Sequence, residues 1–229
     1  MVNKYTIKVV NHSGTPQHYV LFNKPPQIVG EVQGQIWSNV FDTHNTPNAG
    51  DANFSVFQQY YGVAGTANEA PAVGVEVDLN SPKEVTLGSA KPDGTLVPGT
   101  TLQLVVKDHA PQLATTQAAT SFLKAFEVQT GKDFTAEDAK KRNYLIGLGG
   151  SRTGTSFTAP AATFIPKPNI KYQIQPVNVF YVTHGNYSKG SLIDVTKTGH
   201  ATVTIDFAEQ GRDDIVIVHD NHGNFQIQA

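Results

Sequence analysis

The chain has 229 residues, of which 39% are hydrophobic and 16% are charged. Its 17 Lys and Arg against 19 Asp and Glu give a net charge of −2, so the basic excess typical of nucleic-acid-binding proteins is missing. The sequence contains no Cys, which excludes disulfides, thiolate nucleophiles and Cys-ligated zinc, and it has no apolar stretch of the roughly 18 residues that would indicate a membrane-spanning helix.

The first third of the chain alternates between apolar and polar residues. Tyr5, Ile7 and Val9 fall on one face of residues 4–10, and this period of two predicts a half-buried strand. A turn containing Asn, Gly and Pro leads into a second predicted strand, and the two strands together indicate a hairpin. The strands predicted after residue 10 are 17–23, 34–41, 52–63, 73–79, 84–87 and 101–107.

The middle of the chain changes pattern. Residues 115–131 carry apolar side chains at roughly helical spacing and could form a helix that runs into a short strand at 125–129. Thr135 is followed three residues later by Asp138, which predicts a capping box and a short helix that ends near Arg142.

Strand patterns are densest in the rest of the chain. The predicted strands are 143–148, 162–165, 171–175, 179–183, 191–195, 201–207, 214–219 and 224–228. Their spacing of about ten residues is typical of a sandwich or a barrel. Because no long polar linker divides the sequence, we predict a single domain over residues 1–229. The predicted fold is all-β, an antiparallel β-sandwich with one or two short helices in the middle of the chain.

A glycine-rich segment at the start of the predicted loop 149–159 partly matches two functional motifs. Residues 149–153 lack the second glycine of a nucleophile elbow. Residues 147–152 lack the last glycine of a dinucleotide-binding fingerprint and lie outside any βαβ unit. We therefore interpret residues 149–153 as part of a flexible polar loop.

Two of the eight histidines lie in a turn that follows an apolar strand. His219 and His222 flank Asp220, and imidazole and carboxylate groups on one turn can bind a divalent cation with further ligands from elsewhere in the fold. The same residue types are also common in a plain hairpin turn. His219 and His222 are therefore candidate metal ligands, with a divalent metal as a candidate cofactor, beside the plain-turn interpretation.

Two further segments place polar groups directly after the aromatic residues of a strand. In one, Asp42 and His44 follow Trp37, and in the other His184 follows Tyr181. Aromatic walls with a few orienting polar groups are typical of ligand sites, although the same rings also serve in core and cross-strand packing. Our candidate ligand-binding residues are Trp37, Tyr61 and Tyr181 for the apolar walls, and Asp42, His44 and His184 for polar or metal contacts.

Five short strings carry a resemblance to a known group of proteins. They are LFNKPP (21–26), QIWSNVF (35–41), QYYG (59–62), PGTTL (98–102) and YQIQP (172–176). On these strings the chain resembles small fungal all-β proteins, most of them without an assigned role, along nearly its whole length. The most suggestive relative is the pigment-binding pink chromoprotein of oyster mushrooms. The resemblance implies a non-enzymatic, intracellular protein that binds a small molecule.

No catalytic motif accompanies the aromatic, His-bearing segments. We therefore expect a binding protein for a small organic ligand, with a pigment chromophore among the candidates, rather than an enzyme. The alternatives are a lectin-like carbohydrate-binding module, a hydrolase whose carboxylate pair forms only in the fold, and a self-assembling structural protein; a homo-oligomer also stays open. The first residues enter the strand pattern without an apolar signal segment, so we expect a cytoplasmic protein that binds neither nucleic acid nor membranes.

Overall fold

The computed structural model describes residues 3–80, 82–116, 120 and 122–228. Strands make up 54% of the chain and helical residues 6%, which confirms the predicted all-β class. In the described part of the chain, no helix is both long and apolar enough to cross a membrane.

The strands are given first, in chain order, and the helices follow. The strands are first β1 (Lys4–Asn11), β2 (Gln17–Asn23), β3 (Gln27–Val29), β4 (Gln33–Thr46), β5 (Asp51–Ala67), β6 (Val77–Leu79), β7 (Lys83–Val85), β8 (Ser89–Ala90), β9 (Leu96–Val97) and β10 (Thr101–Lys107). They continue with β11 (Ala110–Thr115), β12 (Phe126–Thr130), β13 (Tyr144–Ser151), β14 (Ala159–Ile165), β15 (Lys171–Gln175), β16 (Val179–His184), β17 (Leu192–Ile193), β18 (Val203–Asp206), β19 (Asp214–His219) and β20 (Phe225–Ile227). The α-helices are α1 (Ala136–Lys141) and α2 (Phe207–Gln210), and Val195–Lys197 form a short 3₁₀ helix.

Most strands belong to one large sheet that curls into a nearly closed barrel. Its strand order is β18-β16-β2-β4-β14-β13-β5-β1-β19-β20. Neighbours on this path run antiparallel, except that β1 and β19 run parallel with Ile7 opposite Ile215. Alternate side chains point inward and form the barrel core, which includes Ile7, Leu21, Phe54 and Ile217.

A seam separates the two ends of the large sheet. Among the described residues no ladder joins β18 to β20, the first and last strands of the order. Side chains fill the gap instead, because Val203 of β18 and Phe225 and Ile227 of β20 pack against the barrel core. Closure of the barrel therefore depends on side-chain packing rather than on backbone hydrogen bonds.

Two long strands connect the barrel to a second layer. β4 has 14 residues and β5 has 17. The first half of β5 pairs with β1, where Phe54 lies opposite Ile7, and the second half pairs with β13, where Val63 lies opposite Gly147. This second region packs against a five-stranded sheet of order β11-β10-β12-β15-β3. The interlayer core between them includes Leu102, Phe126, Tyr144, Phe164 and Ile174.

Glycines in β13 permit the close approach of its neighbours. A Cβ added at Gly147 would lie 2.0 Å from the backbone oxygen of Ala162, and one added at Gly149 would lie 2.6 Å from the ring of Phe157. β13 extends to Ser151, so residues 149–151 belong to a strand and the flexible-loop interpretation is wrong for them. These glycines are needed because a side chain would collide with the adjacent strand or ring.

The helix predicted from Thr135 is confirmed. The Thr135 hydroxyl accepts a hydrogen bond from the Asp138 amide, and the Asp138 carboxylate accepts one from the Thr135 amide. α2 lies outside the middle of the chain and replaces the end of the strand predicted at 201–207. Asp206 caps its first turn with its carboxylate, and Gly211 ends it with a φ of +64°.

The segment 115–131 is described only in part. The strand predicted at 125–129 is confirmed as β12. Residues 117–119 and 121, where the helix preceding that strand was expected, lie outside the described residues. The described residues on either side are not helical, since β11 ends at Thr115 and a turn precedes β12.

Candidate functional site

A groove opens where β5, β7 and the connection between β15 and β16 meet. It has a volume of about 580 Å³ and adjoins a cavity of about 20 Å³ among the aromatic rings of the barrel core. That cavity has room for one water-sized group. We call the groove and the cavity together the tyrosine–amide groove. Its polar and tyrosine side chains are Tyr5, Asn23, Gln58, Gln59, Tyr60, Glu84, Thr86, Lys124 and Asn178.

The fold delivers these side chains from strands that are distant in sequence. Gln58, Gln59 and Tyr60 are consecutive residues of β5, and all three line the groove. The pairing of β5 with β13 shifts register between Phe57 and Tyr60, and such an irregularity interrupts the usual alternation of side chains. Pro176 follows the end of β15 and cannot donate to a ladder, and the chain then crosses to β16 through Asn178. Asn23 is the last residue of β2 and pairs with Phe180 of β16.

A hydrogen-bond network links two tyrosines through amide groups. Gln58 donates from Nε2 to the Tyr5 hydroxyl at 2.5 Å, and Asn178 donates from Nδ2 to the same hydroxyl at 3.2 Å. Tyr60 donates from its hydroxyl to Asn178 Oδ1 at 3.3 Å. Both bonds at Tyr5 use its oxygen as acceptor, so its proton remains available to a bound acceptor.

Two amide oxygens of the groove have no hydrogen-bond partner among the described residues. They are Asn23 Oδ1 and Gln59 Oε1, and both atoms are buried. The Asn23 side chain belongs to a residue that is only 9% exposed, and Gln59 uses its Nε2 to donate to Glu84 at 3.0 Å. A buried acceptor without a partner costs about 1–3 kcal/mol. Each oxygen could be satisfied by a bound O–H or N–H donor.

Both phenols of the network stay protonated at neutral pH. Burial raises the pKa of Tyr60 to about 12, with nearby Tyr5 as the second cause. Burial also raises the pKa of Tyr5, the charge of Asp213 adds to this effect, and the hydrogen bond from Gln58 opposes it. The groove therefore presents neutral hydroxyl donors beside amide acceptors, while Glu84 and Lys124 place opposite charges at its open side.

Stacked rings hold the walls of the cavity. The ring of Tyr5 stacks on Phe207 with centroids 4.2 Å apart, and Phe180 meets Phe207 edge-on at 5.6 Å. Phe41 and Phe57 complete the aromatic lining. Packed rings of this kind resist displacement, so the cavity has a preformed shape.

Two of the predicted ligand-binding residues lie at the other end of the barrel. On β2, Tyr19 pairs with His44 of β4 on one side and with His184 of β16 on the other. Asn23, at the far end of the same strand, belongs to the tyrosine–amide groove. His44 and His184 are thus neighbours across Tyr19, whereas the groove lies about one strand length away.

Asp42 lies close to His44 in a polar cluster. Its carboxylate accepts a hydrogen bond from Arg152 Nη1 at 2.6 Å and lies 3.5 Å from His44 Nε2. Asp42 is 4% exposed, whereas the Arg152 and His44 side chains are 37% and 38% exposed, so the carboxylate is buried but both partner side chains reach solvent. Lys189 lies near this cluster, which affects its pKa. Burial lowers the pKa of Lys189, the charge of Arg152 lowers it further, and the charge of Asp42 opposes both effects.

His184 is the centre of a histidine stack formed with His200 and His219. Its ring centroid lies 4.5 Å from that of His200 and 4.9 Å from that of His219, on which Phe225 stacks at 4.4 Å. The Tyr19 hydroxyl bonds to His219 Nδ1 at 2.9 Å, and the buried His219 Nε2 has no partner among the described residues.

His184 and His219 are uncharged at neutral pH. Burial lowers the pKa of His184 to about 4, and the charges of His200 and His219 lower it as well. Burial also lowers the pKa of His219, although Asp220 opposes this. Stacked neutral rings attract through dispersion, whereas protonation would add charges that burial and the neighbouring rings disfavour.

The two histidines predicted as metal ligands have different surroundings. His219 is 1% exposed and belongs to the histidine stack. His222 lies in an exposed turn, where Asp220 Oδ1 accepts hydrogen bonds from the amides of His222 and Asn224, both at 2.9 Å. Across the part of the chain that is described, no group of three or more His, Asp or Glu is arranged to hold a metal ion.

The three predicted aromatic walls lie apart from one another. Tyr181 packs on Phe22 with ring centroids 5.2 Å apart, on the outer side of the barrel. Tyr61 is 6% exposed and meets Phe157 edge-on. Trp37 lies on the first half of β4, opposite Thr163 of β14. The six predicted ligand-binding residues therefore do not form one site.

Sequence reasoning did not identify the tyrosine–amide groove. Tyr60 belongs to the string QYYG (59–62) and Tyr5 to a predicted strand, and neither pattern indicated a site. Asn23 and Asn178 are amides near strand ends, each two positions from a proline, and such amides are common in loops. Comparison with known protein families, curated proteins and solved structures finds no match to this chain.

Proposed function

We propose that the protein binds a small organic ligand in the tyrosine–amide groove and does so without turnover. The observation that carries the proposal is the unpartnered Asn23 Oδ1 at the closed end of the groove. A buried acceptor beside aromatic walls favours a ligand whose narrow end carries an O–H or N–H donor.

The other groups of the groove narrow the ligand's chemistry. The body of the ligand would lie along Tyr60, where Gln59 Oε1 offers a second acceptor and the Tyr5 hydroxyl offers a proton. The groove volume of about 580 Å³ is within the range of about 300–1,000 Å³ of small-molecule sites. A planar, hydroxylated or amino-substituted compound meets these demands, and a conjugated pigment is one member of that class.

The β-sandwich that we expect for this binding protein is supported by the interlayer core. The five-stranded sheet faces the first half of β4 and the second half of β5 across that core. The groove would then lie where the sandwich meets the barrel. Sites between packed layers of a domain are common for small ligands.

The first test is native mass spectrometry and an absorption spectrum of the protein purified from its source. We expect an extra mass of a small organic compound that is released on denaturation. A released compound is then titrated against the Asn23→Ala variant. If none is released, small phenols and anilines are titrated against this variant by ligand-observed NMR instead. Binding should weaken about tenfold, the loss of one hydrogen bond to a buried group.

Asn23→Ala also separates a binding role from a structural one. Because Asn23 Oδ1 has no partner among the described residues, its removal should lower the melting temperature by no more than a few degrees. Asn221→Ala, an amide in the exposed turn at the other end of the barrel, is the matched control. A bare polypeptide mass together with the absence of binding by any phenol or aniline would overturn the proposal.

A further inference from the structure

A second pocket lies on the first half of β4, apart from the tyrosine–amide groove. It has a volume of about 260 Å³. Gln33, Gln35 and Trp37 are alternate residues of β4 and all line it. Lys140, from the last turn of α1, and Asn143 border the same pocket.

Trp37 takes no part in the apolar cores. It belongs to none of the apolar clusters formed by the described residues, and no described aromatic ring packs against it. It is nevertheless half-buried, on the wall of an open pocket. Tryptophan side chains usually dominate cores because of their large apolar area. One that lines a pocket instead offers that area to a ligand.

The polar groups beside Trp37 complement a ligand rich in hydroxyls. Gln33 Oε1 is buried and has no partner among the described residues, so it lacks a donor. Lys140 supplies ammonium donors. Asn143 uses its Nδ2 to donate to the Ala67 carbonyl at 3.2 Å, which fixes the amide at the pocket's edge.

We infer that this pocket binds a saccharide ring. One face of a pyranose presents C–H groups that can pack on the Trp37 ring, and its hydroxyls both donate and accept hydrogen bonds. A hydroxyl can therefore donate to Gln33 Oε1 and another can accept from Lys140. An aromatic ligand would pack equally on Trp37 but would leave Gln33 Oε1 and Lys140 without hydrogen-bonding partners, so the polar groups favour the sugar. This site is independent of the tyrosine–amide groove.

The test uses the fact that Trp37 is the only tryptophan in the chain. Its intrinsic fluorescence therefore reports on this pocket alone. The intact protein is titrated with methyl α- and β-glycosides of glucose, galactose, mannose, xylose and N-acetylglucosamine, and is applied in parallel to a glycan array. We expect a saturable change in emission with at least one glycoside, at a Kd of about 0.1–10 mM for a single ring on a single platform.

Variants separate recognition from folding. Trp37→Ala should abolish array binding, and Gln33→Leu and Lys140→Ala should each raise the Kd at least about threefold while the circular dichroism spectrum stays unchanged. If Trp37→Ala fails to fold, the Gln33 and Lys140 variants decide. Phe122→Ala is the matched control, because Phe122 is an aromatic ring that is 46% exposed outside the pocket.

Two results would overturn the inference. One is that no glycoside changes the Trp37 emission and no glycan on the array is retained. The other is that glycosides bind but the Gln33→Leu and Lys140→Ala variants bind them as well as the unmodified protein does. Titration with phenol completes the comparison, since tighter binding of phenol than of every glycoside would assign the pocket to aromatic ligands instead.

Discussion

The imidazole of His184 lies between two other imidazoles, and no carboxylate is among the causes that set its pKa. The groups that face it are His200, His219, Tyr19 and Phe225. None of these carries a negative charge at neutral pH. A proton added to His184 would therefore gain no ion pair to offset its burial.

We expect the free energy of unfolding to decrease as the pH falls from 7 to 5. The unfolded chain protonates His184 near its ordinary pKa of 6.5, whereas the folded protein does so only near 4. Between these values the unfolded state binds more protons, so acid favours unfolding, and the full stabilisation is present only above about pH 6.5. Urea denaturation at pH 7 and pH 5 should show a loss of about 1–2 kcal/mol that is absent in His184→Phe.

The control for this experiment is His222→Ala, which removes an exposed histidine. It should lose as much stability between pH 7 and pH 5 as the unmodified protein. If His184→Phe also loses the same amount, the pH dependence arises from other groups and the histidine stack is not its source. His219, whose pKa burial also lowers, would then be tested by the same substitution.

At the residue scale, the sequence predicted contacts that depend on spacing within one strand. Asp42 and His44 were expected together, and they lie 3.5 Å apart on β4. Tyr5 and Asn178 were not connected by any pattern, because they lie 173 positions apart and meet only once the barrel forms. Phenols and amides have no motif spacing of their own, unlike metal ligands or capping residues.

At the element scale, close strand contacts explain the glycines of β13. We expect Gly147→Ala to lower the free energy of unfolding by at least about 2–3 kcal/mol, because its Cβ would lie 2.0 Å from the backbone oxygen of Ala162 and neither strand can move without breaking the ladder. Thermal denaturation followed by circular dichroism measures this loss.

Gly131→Ala provides the comparison for this substitution. A Cβ at Gly131 would lie 3.1 Å from the Asp133 carboxylate and 3.7 Å from Gln103 Nε2, and both are ends of side chains that can shift. The expected change is within about 1 kcal/mol. Equal destabilisation by the two substitutions would show that strand approach is not the reason for the glycine at 147.

The two α-helices show when the local sequence is enough to predict an element of secondary structure. α1 was predictable because its capping box is formed by residues three positions apart. α2 was missed because Val203, Ile205 and Phe207 continue a strand-like alternation. In the structure the Asp206 carboxylate accepts hydrogen bonds from the Ala208 and Glu209 amides, which turns the chain into a helix despite that pattern.

At the scale of the whole molecule, the barrel depends on its last two strands. A chain that ends at Asp213 lacks β19 and β20, so β1 loses one of its two ladders and the barrel core loses Ile215, Ile217 and Phe225. We expect this truncated chain to lose cooperative unfolding and near-ultraviolet circular dichroism and to bind a hydrophobic dye.

A chain that ends at Gln228 is the control for the truncation. It retains β20, whose Ile227 lies opposite Ile217, and should unfold cooperatively like the full chain. Cooperative unfolding of the chain that ends at Asp213 would show that the interlayer core is sufficient for the fold. The sequence predicted most strands of both regions but not their partners. The one pairing that it indicated, a hairpin of β1 with β2, is wrong, because β1 pairs with β5 and β19 while β2 pairs with β4 and β16. Strand periodicity does not specify which strands pair.

The parallel pairing of β1 with β19 also has a consequence for biosynthesis. The ribosome makes Ile7 long before Ile215, its partner, because the two positions are 208 residues apart (215 − 7). Until β19 has been made, β1 therefore has one open edge that exposes unpaired backbone groups. We expect the barrel to close only after β19 has left the ribosome, slowly because the contact joins residues so far apart in sequence, and to need protection by chaperones until then.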